Sequence, residues 1–150
     1  MLQDALYAWL HYLAIFFLIV ILTAQAVLLR PGLGEEIVRR LAIYDRLYLL
    51  SAVMVLATGM LRLSLGAKGM AFYASNPWFH AKMTLFVITG LCSIIPTLAF
   101  LRWRKQSRTV PAYMPPNEEI SRARRWVMIE VHMLVLLPLC AVLMARGVGM

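Results

Sequence analysis

Residues 76–102 read NPWFHAKMTLFVITGLCSIIPTLAFLR, and this stretch decides the fold. It contains no charged residue between Lys82 and Arg102, and a helix needs about 20 such residues to cross the hydrocarbon core of a bilayer. Its beginning nevertheless carries His80 and Lys82, and polar side chains of this kind are costly near lipid. The stretch therefore predicts a membrane-spanning helix, and the two polar residues in its first turns indicate a functional role at that end.

The composition extends this prediction to the whole chain. Of its 150 residues, 62% are hydrophobic and 15% are charged, whereas soluble domains have about 45–50% and about 25%. A lone segment can satisfy its own backbone in lipid only as a helix. We therefore predict an all-α integral membrane protein, an up-down four-helix bundle that forms one transmembrane domain over residues 1–150. The expected helices cover about residues 5–29, 42–65, 78–101 and 121–145.

The net charge of +8 is distributed unevenly, and its pattern indicates topology rather than nucleic-acid binding. Eleven of the fifteen Lys and Arg residues lie in or beside the first and third loops, and four lie toward the other side. Under the positive-inside rule, those two loops face the cytoplasm and both termini face outward. The expected location is the bacterial inner membrane, crossed several times, with anionic lipid as a contact of the basic loops.

Two histidines lie at similar expected depths. His11 is about six residues into the first helix and His80 opens the third, and these two helices are parallel and diagonal in an up-down bundle. Two imidazoles that face each other in this way can hold a porphyrin iron. Gly59 falls near the same level and would let a flat ring approach the backbone. Arg62 and Lys82 lie where ring carboxylates would emerge, so charge-assisted contacts are expected.

Each of these residues also has a structural explanation. A histidine at a helix end can be an interfacial residue bonded to water or lipid, and Arg62 and Lys82 can extend to the headgroups. Gly59 can be a close-packing position between helices. The residue types alone leave these alternatives open.

Ionisable residues also occur deeper in the bundle. Glu130 lies toward the cytoplasmic half of the fourth helix, where Arg46 of the second helix also lies, so a structural Arg46–Glu130 pair and proton transfer are both open. His132 points about 160° away from Glu130, which favours packing over a role as a third metal ligand. The ten methionines form no Met-x-x-Met cluster, so packing explains them better than copper binding.

Four blocks of sequence, in order along the chain, resemble the HemJ family of small membrane proteins linked to protoporphyrinogen oxidation. The sharpest match is Trp78-Phe79-His80-Ala81-Lys82-Met83, which is similar to that family's Trp-Leu-His-Ala-Lys-Leu. The other blocks are Trp9-Leu10-His11, then Asp45-Arg46-Leu47-Tyr48 with Thr58-Gly59-Met60, and Arg125-Trp126 with Glu130-Val131. Two departures indicate a sister family of small membrane proteins: Ile94-Ile95-Pro96 stands where a Tyr-His is expected, and His132 where a proline is expected.

The resemblance implies a four-helix protein that binds haem b, with His11, His80 and Lys82 as the residues carried over. In an enzyme of this kind, His80 and Lys82 would be catalytic, protoporphyrinogen IX would be oxidised to protoporphyrin IX, and electrons would pass to a membrane acceptor. Two other classes stay open, a copper or small-molecule membrane module and a structural subunit. The expected partners are lipid and a porphyrin or quinone-type molecule, and a homo-oligomer is left open.

The charge bias gives a testable prediction, because it places both termini outside the cytoplasm. Alkaline phosphatase works only outside the cytoplasm, so its fusion to the C-terminus should be active. A fluorescent reporter that matures only in the cytoplasm should stay dark at the same position. The opposite pattern would contradict the assignment.

Overall fold

The computed structural model describes residues 2–65 and 69–148, and this part of the chain consists of helices and the segments that join them. In chain order, the helices are α1 (Leu2–Leu28), α2 (Glu35–Leu65), α3 (Gly69–Ala74), α4 (Pro77–Ser107) and α5 (Asn117–Ala145). Four of them are long and apolar enough to cross a membrane, and α3 is a single short piece. The predicted all-α, four-helix membrane bundle is confirmed.

The helices differ from the expected spans mainly at one end of the bundle. We call this the basic end, because eleven of the fifteen Lys and Arg residues lie in or beside the connections 29–34 and 108–116. The other end, with α3, the start of α1 and the end of α5, is the terminal end. At the basic end, α2 begins at Glu35 rather than near residue 42, and α4 continues to Ser107 rather than ending near residue 101. Each has 31 residues and is therefore about 46 Å long, more than the ~30 Å hydrocarbon core. We therefore expect their charged turns at the basic end to lie outside the hydrocarbon core.

The bundle is built from two hairpins, α1 with α2 and α4 with α5, which meet mainly through α2 and α4. α1 also touches α5, whereas the described parts of α1 and α4 have no close backbone approach, nor do those of α2 and α5. The first and third long helices are therefore diagonal, as the sequence predicted. The surface is apolar, with Phe16 64%, Leu91 60% and Val135 69% exposed, as expected for side chains that contact lipid.

The residues Asn76 to Trp78 fix the start of α4 and tie it to the end of α5. The Asn76 side chain caps the helix by accepting from the Trp78 backbone N–H at 2.9 Å, and Pro77 takes the first position, where its missing N–H does no harm. The Asn76 amide also donates to the Met144 carbonyl at 3.3 Å, and the Trp78 indole donates to the Val148 carbonyl at 3.0 Å. These bonds set the height of the residues that follow in α4.

A second connection between α4 and α5 lies at the basic end. Trp103 is fully buried, and its indole N–H donates to Glu119 Oε2 at 2.7 Å. Arg102 donates to the same oxygen, also at 2.7 Å. One carboxylate of α5 therefore satisfies a buried donor of α4 and pairs with the neighbouring arginine.

Replacing Glu119 by alanine should lower the free energy of unfolding by about 1–3 kcal/mol, because the Trp103 N–H would then be buried without its acceptor. Glu118→Ala is the matched control, since Glu118 is exposed in the same first turn and its charge suits the helix dipole equally well. Thermal unfolding in detergent should give Glu119→Ala the lower melting temperature. Equal melting temperatures would show that the indole bond adds no net stability.

Candidate functional site

A cavity lies near the terminal end, enclosed by all four long helices and α3. Its volume is about 140 Å³, and its polar lining includes His11, Tyr12, Arg62, Tyr73 and Lys82. The rest of the lining is apolar and comes mainly from α1 and α5. A smaller cavity of about 50 Å³ shares His11, Arg62, Tyr73 and Lys82 and continues beside α2. The two cavities therefore form one candidate site at the level predicted for the histidines.

His11 is buried on α1 and held in one orientation by Thr58 of α2. The His11 Nδ1 and the Thr58 Oγ1 are 2.9 Å apart. Because the Thr58 hydroxyl donates its single hydrogen to the Met54 carbonyl at 2.7 Å, its oxygen accepts from His11. In the neutral imidazole, this hydrogen-bond network assigns the hydrogen to Nδ1 and the lone pair to Nε2. A histidine that donates from one ring nitrogen has the other available as a ligand.

Gly59 lies directly against the His11 ring. A Cβ added at this position would come 3.3 Å from His11 Cε1, which is closer than ordinary van der Waals contact. The glycine also lines the smaller cavity. The ring that occupies the space over Gly59 in the structure is the imidazole, and the approach of a flat ligand ring stays a prediction.

Arg62 and Lys82 bring two positive charges to the cavity wall. Neither is in an ion pair within residues 2–65 and 69–148, and the buried Arg62 Nε has no hydrogen-bond partner there. The Arg62 guanidinium carbon lies 5.7 Å from the centroid of the Tyr12 ring, an attractive cation–π arrangement. Both charges act electrostatically on His11. Two cations without an anionic partner among the described residues make this end of the cavity suited to a carboxylate or another anion.

His80 lies outside this site. It is exposed, its Nε2 donates to the Ala74 carbonyl at 2.9 Å, and it lines neither cavity. The reason is helical rotation: residues two apart on α4 are turned by about 200°, so with Lys82 directed inward His80 is directed outward. The structure thus brings His11, Gly59, Arg62 and Lys82 together and leaves His80 apart. The metal-ligand and catalytic roles of His80 stay predictions.

The Arg46–Glu130 pair considered from the sequence is not formed. Arg46 is exposed on α2, whereas Glu130 is only 1% exposed in the interior, and α2 and α5 are diagonal. Glu130 instead interacts with Tyr48 of α2. Because successive helical residues are turned by about 100°, Asp45 and Tyr48 share the inner face of α2 and Arg46 leaves it.

His132 also lies outside the candidate site. It is exposed on α5, and its Nδ1 donates to the Met128 carbonyl at 2.6 Å. Within the described ranges, no group of three or more His, Cys, Asp or Glu side chains could hold a metal ion. A ligand in the two cavities would therefore meet His11 as the one histidine described there.

Sequence reasoning assigned no role to Tyr12, Thr58 and Tyr73, which shape this site. Thr58 stands four residues before Arg62, so the two share a face of α2, and this spacing could have identified the partner of His11. Tyr73 belongs to α3, which has only six residues. A helix this short has too few turns for a hydrophobic pattern to show which way a side chain points.

A glycine substitution tests how tightly His11 is held. An alanine at position 59 would press on the His11 ring, which the Thr58 bond keeps from moving away, whereas nothing lies within 4 Å of a Cβ at Gly90. Both substitutions gain the better helix propensity of alanine, about 1 kcal/mol. In detergent, Gly59→Ala should therefore melt at a lower temperature than Gly90→Ala. The reverse order would mean that the imidazole has room to shift.

Comparison with known proteins gives a family and no activity. No curated protein and no solved structure matches the chain. The model of one family, described as "Predicted membrane protein (DUF2214)", matches residues 3–149, which is nearly the whole length. The match does not name HemJ or any cofactor. It agrees with the four apolar helices, and the chain belongs to the DUF2214 family of predicted membrane proteins.

Proposed function

We propose that the protein binds a carboxylate-bearing tetrapyrrole, with haem b as the candidate, in the cavity at the terminal end. The observation that carries the proposal is the meeting of three side chains in one membrane-embedded cavity. His11 offers the Nε2 lone pair, and Arg62 and Lys82 offer two positive charges that are in no ion pair within the described ranges. A tetrapyrrole with a central metal and peripheral carboxylates matches these donors.

Different residues would contact the central metal of such a ligand and the carboxylates at its edge. His11 would hold the metal through Nε2, with Thr58 fixing the imidazole, and Arg62 and Lys82 would bind the carboxylates. When bound, a haem supplies one-electron redox chemistry, so the protein would act as a redox protein of the bacterial inner membrane. The surrounding apolar side chains would exclude water from the ring and strengthen the charged contacts.

A broad apolar ligand would need more space than this cavity gives, and a neighbouring apolar cavity supplies it. At about 140 Å³ it is smaller than an ordinary ligand pocket, which has roughly 300–1,000 Å³. An apolar cavity of about 310 Å³ lies beside it between α1 and α5, and Ile19, Leu134 and Pro138 line both. A ligand larger than either cavity could therefore extend from the cationic end into this neighbouring groove.

The position of His80 favours one protein ligand to the metal rather than two. The bis-histidine form expected from the sequence would require His80 to leave the Ala74 carbonyl and turn inward. The narrower activity implied by the HemJ resemblance, oxidation of protoporphyrinogen IX with electrons passed to a membrane acceptor, would use the same contacts. That substrate is also a carboxylated tetrapyrrole, so Arg62 and Lys82 would serve it equally.

Binding titrations separate the metal contact from the carboxylate contacts. The purified protein in detergent should bind both haemin and metal-free protoporphyrin IX, measured by absorbance and by tryptophan quenching. Arg62→Gln and Lys82→Gln should weaken both ligands by about tenfold to a hundredfold, the value of a charged hydrogen bond. His11→Ala should weaken haemin but leave protoporphyrin IX nearly unchanged, because only haemin has a metal.

Two exposed histidines provide the controls. His132→Ala should bind both ligands as the wild type does, and unchanged haemin spectra for His80→Ala would support the one-ligand form. Loss of the haemin spectrum in His80→Ala would restore the bis-histidine form. Wild-type protein that binds neither tetrapyrrole would overturn the proposal, and copper binding in its place would favour the copper module.

A further inference from the structure

A cluster of polar side chains lies in the interior, away from the cavity at the terminal end. It consists of Asp45 and Tyr48 of α2, Ser93 and Thr97 of α4, and Glu130 of α5; we call it the carboxyl cluster. Thr97 donates to Asp45 Oδ1 at 2.8 Å, and Tyr48 interacts with both Ser93 and Glu130. The cluster therefore joins three of the four long helices at one level.

Both carboxyl groups of this cluster are withdrawn from water and lipid. Asp45 is 5% exposed and Glu130 is 1% exposed. No Lys or Arg of residues 2–65 and 69–148 pairs with either one. Glu130 Oε1 is buried and has no hydrogen-bond partner in the same ranges. A single carboxyl oxygen left open in a membrane interior is the feature that needs an explanation, because an unpaired charge there is costly.

The polar side chains near Glu130 come from α2 and α4. From α2 come Asp45 and Tyr48, and Asp45 acts electrostatically on Glu130. From α4 come the hydroxyls of Ser93 and Thr97, and Cys92 is the one titratable residue between Lys82 and Arg102. α1 carries no titratable residue after Tyr12. His132 of α5 itself is exposed and directed away from Glu130.

We propose that the carboxyl cluster is a proton-binding site, with Glu130 as the group that takes up and releases the proton. The released proton goes to water, and the Tyr48 hydroxyl is the nearby donor that the carboxylate left behind would use. Two carboxyl groups within electrostatic range resist being ionised together, so the pair retains a proton that Glu130 can exchange. The open Oε1 is the oxygen available to carry it.

A proton fits the cluster better than a metal cation. Thr97 directs its hydroxyl hydrogen at Asp45, and Ser93 donates to the Gly90 carbonyl at 2.7 Å. The cluster residues line none of the cavities at the terminal end or between α1 and α5, and a bound cation would need space among several oxygens. A proton needs no cavity. Asp45 lies about 15 Å along α2 from Glu35, so the basic end is the nearer side for exchange.

An apolar carbodiimide tests this assignment on the unmodified protein. Dicyclohexylcarbodiimide reacts with a protonated carboxyl group: the acid proton moves to a carbodiimide nitrogen, the carboxyl oxygen bonds to the central carbon, and the adduct rearranges to a stable N-acylurea. In liposomes, mass spectrometry should find the label on Glu130, with yield falling as the pH rises. Glu118, exposed at the start of the same helix, is the matched control and should stay unlabelled.

Labelling of variants, and labelling in the presence of Na⁺, show whether the reaction depends on a proton at Glu130. Glu130→Gln should lose the label, and Asp45→Asn should move the pH at which labelling of Glu130 falls, because a charge within electrostatic range has been removed. Asp4→Asn, near the start of α1, should leave that pH unchanged. Because Glu130 is buried, infrared spectroscopy provides a readout that needs no access for a reagent: a protonated-carboxyl C=O band that Glu130→Gln removes should disappear as the pH rises. If the wild-type protein shows neither this band nor a label on Glu130, the proposal fails. Protection by Na⁺ at constant pH would also overturn it, since the site would then bind a cation.

Discussion

A polar side chain between the long helices can bond only to a partner inside the bundle, because neither lipid nor the apolar core can supply one. Three bonds of this kind lie at different heights in the bundle. At the basic end, Glu119 accepts from the buried Trp103 indole. Deeper in the interior, Thr97 donates to Asp45. Near the terminal end, Thr58 accepts from His11. Each bond crosses between two helices, so the arrangement of the helices and the pairing of polar groups are one problem.

α2 has a central place in this arrangement because it packs against both α1 and α4. Its inner face carries Asp45 and Tyr48 toward α4 and α5, and Thr58 and Arg62 toward the cavity beside α1. The interior groups and the cavity therefore share one rigid element. A change that rotated α2 would disturb both, which is why variants directed at single side chains separate their roles better than changes in the packing of this helix.

The sequence predicted how deep the polar side chains lie in the bundle. It did not predict how each helix is rotated about its axis, and so not which side chains point inward. Counting residues from the helix ends placed His11, Gly59, Arg62 and Lys82 near one level, and the structure brings them together. The same count placed His80 at that level, but depth does not say which face of α4 it occupies. Apolar residues surround each long helix, so the usual amphipathic pattern that indicates an inner face is weak here.

The Arg46–Glu130 pair, which was considered from the sequence and is not formed, also shows that depth alone does not identify a partner. Opposite charges at similar depth suggested a bond, yet α2 and α5 are diagonal, and Glu130 reaches across to Tyr48 rather than to the arginine. Sequence identifies which groups need partners. The partner itself depends on how each helix is rotated about its axis, and contacts far apart in sequence influence this rotation. For α4 they include the hydrogen bonds of Asn76 to Met144 in α5 and of Trp78 to Val148 just after it.

The groove between α1 and α5 bears on how a ligand would arrive. Its walls include the exposed Ile19, Thr23 and Val135, so it opens sideways to the bilayer rather than to water. A molecule entering by this route would be drawn from the pool dissolved in the membrane. The concentration that governs occupancy would then be a mole fraction in lipid, and diluting the protein with extra lipid would empty the site even at a constant total amount of ligand.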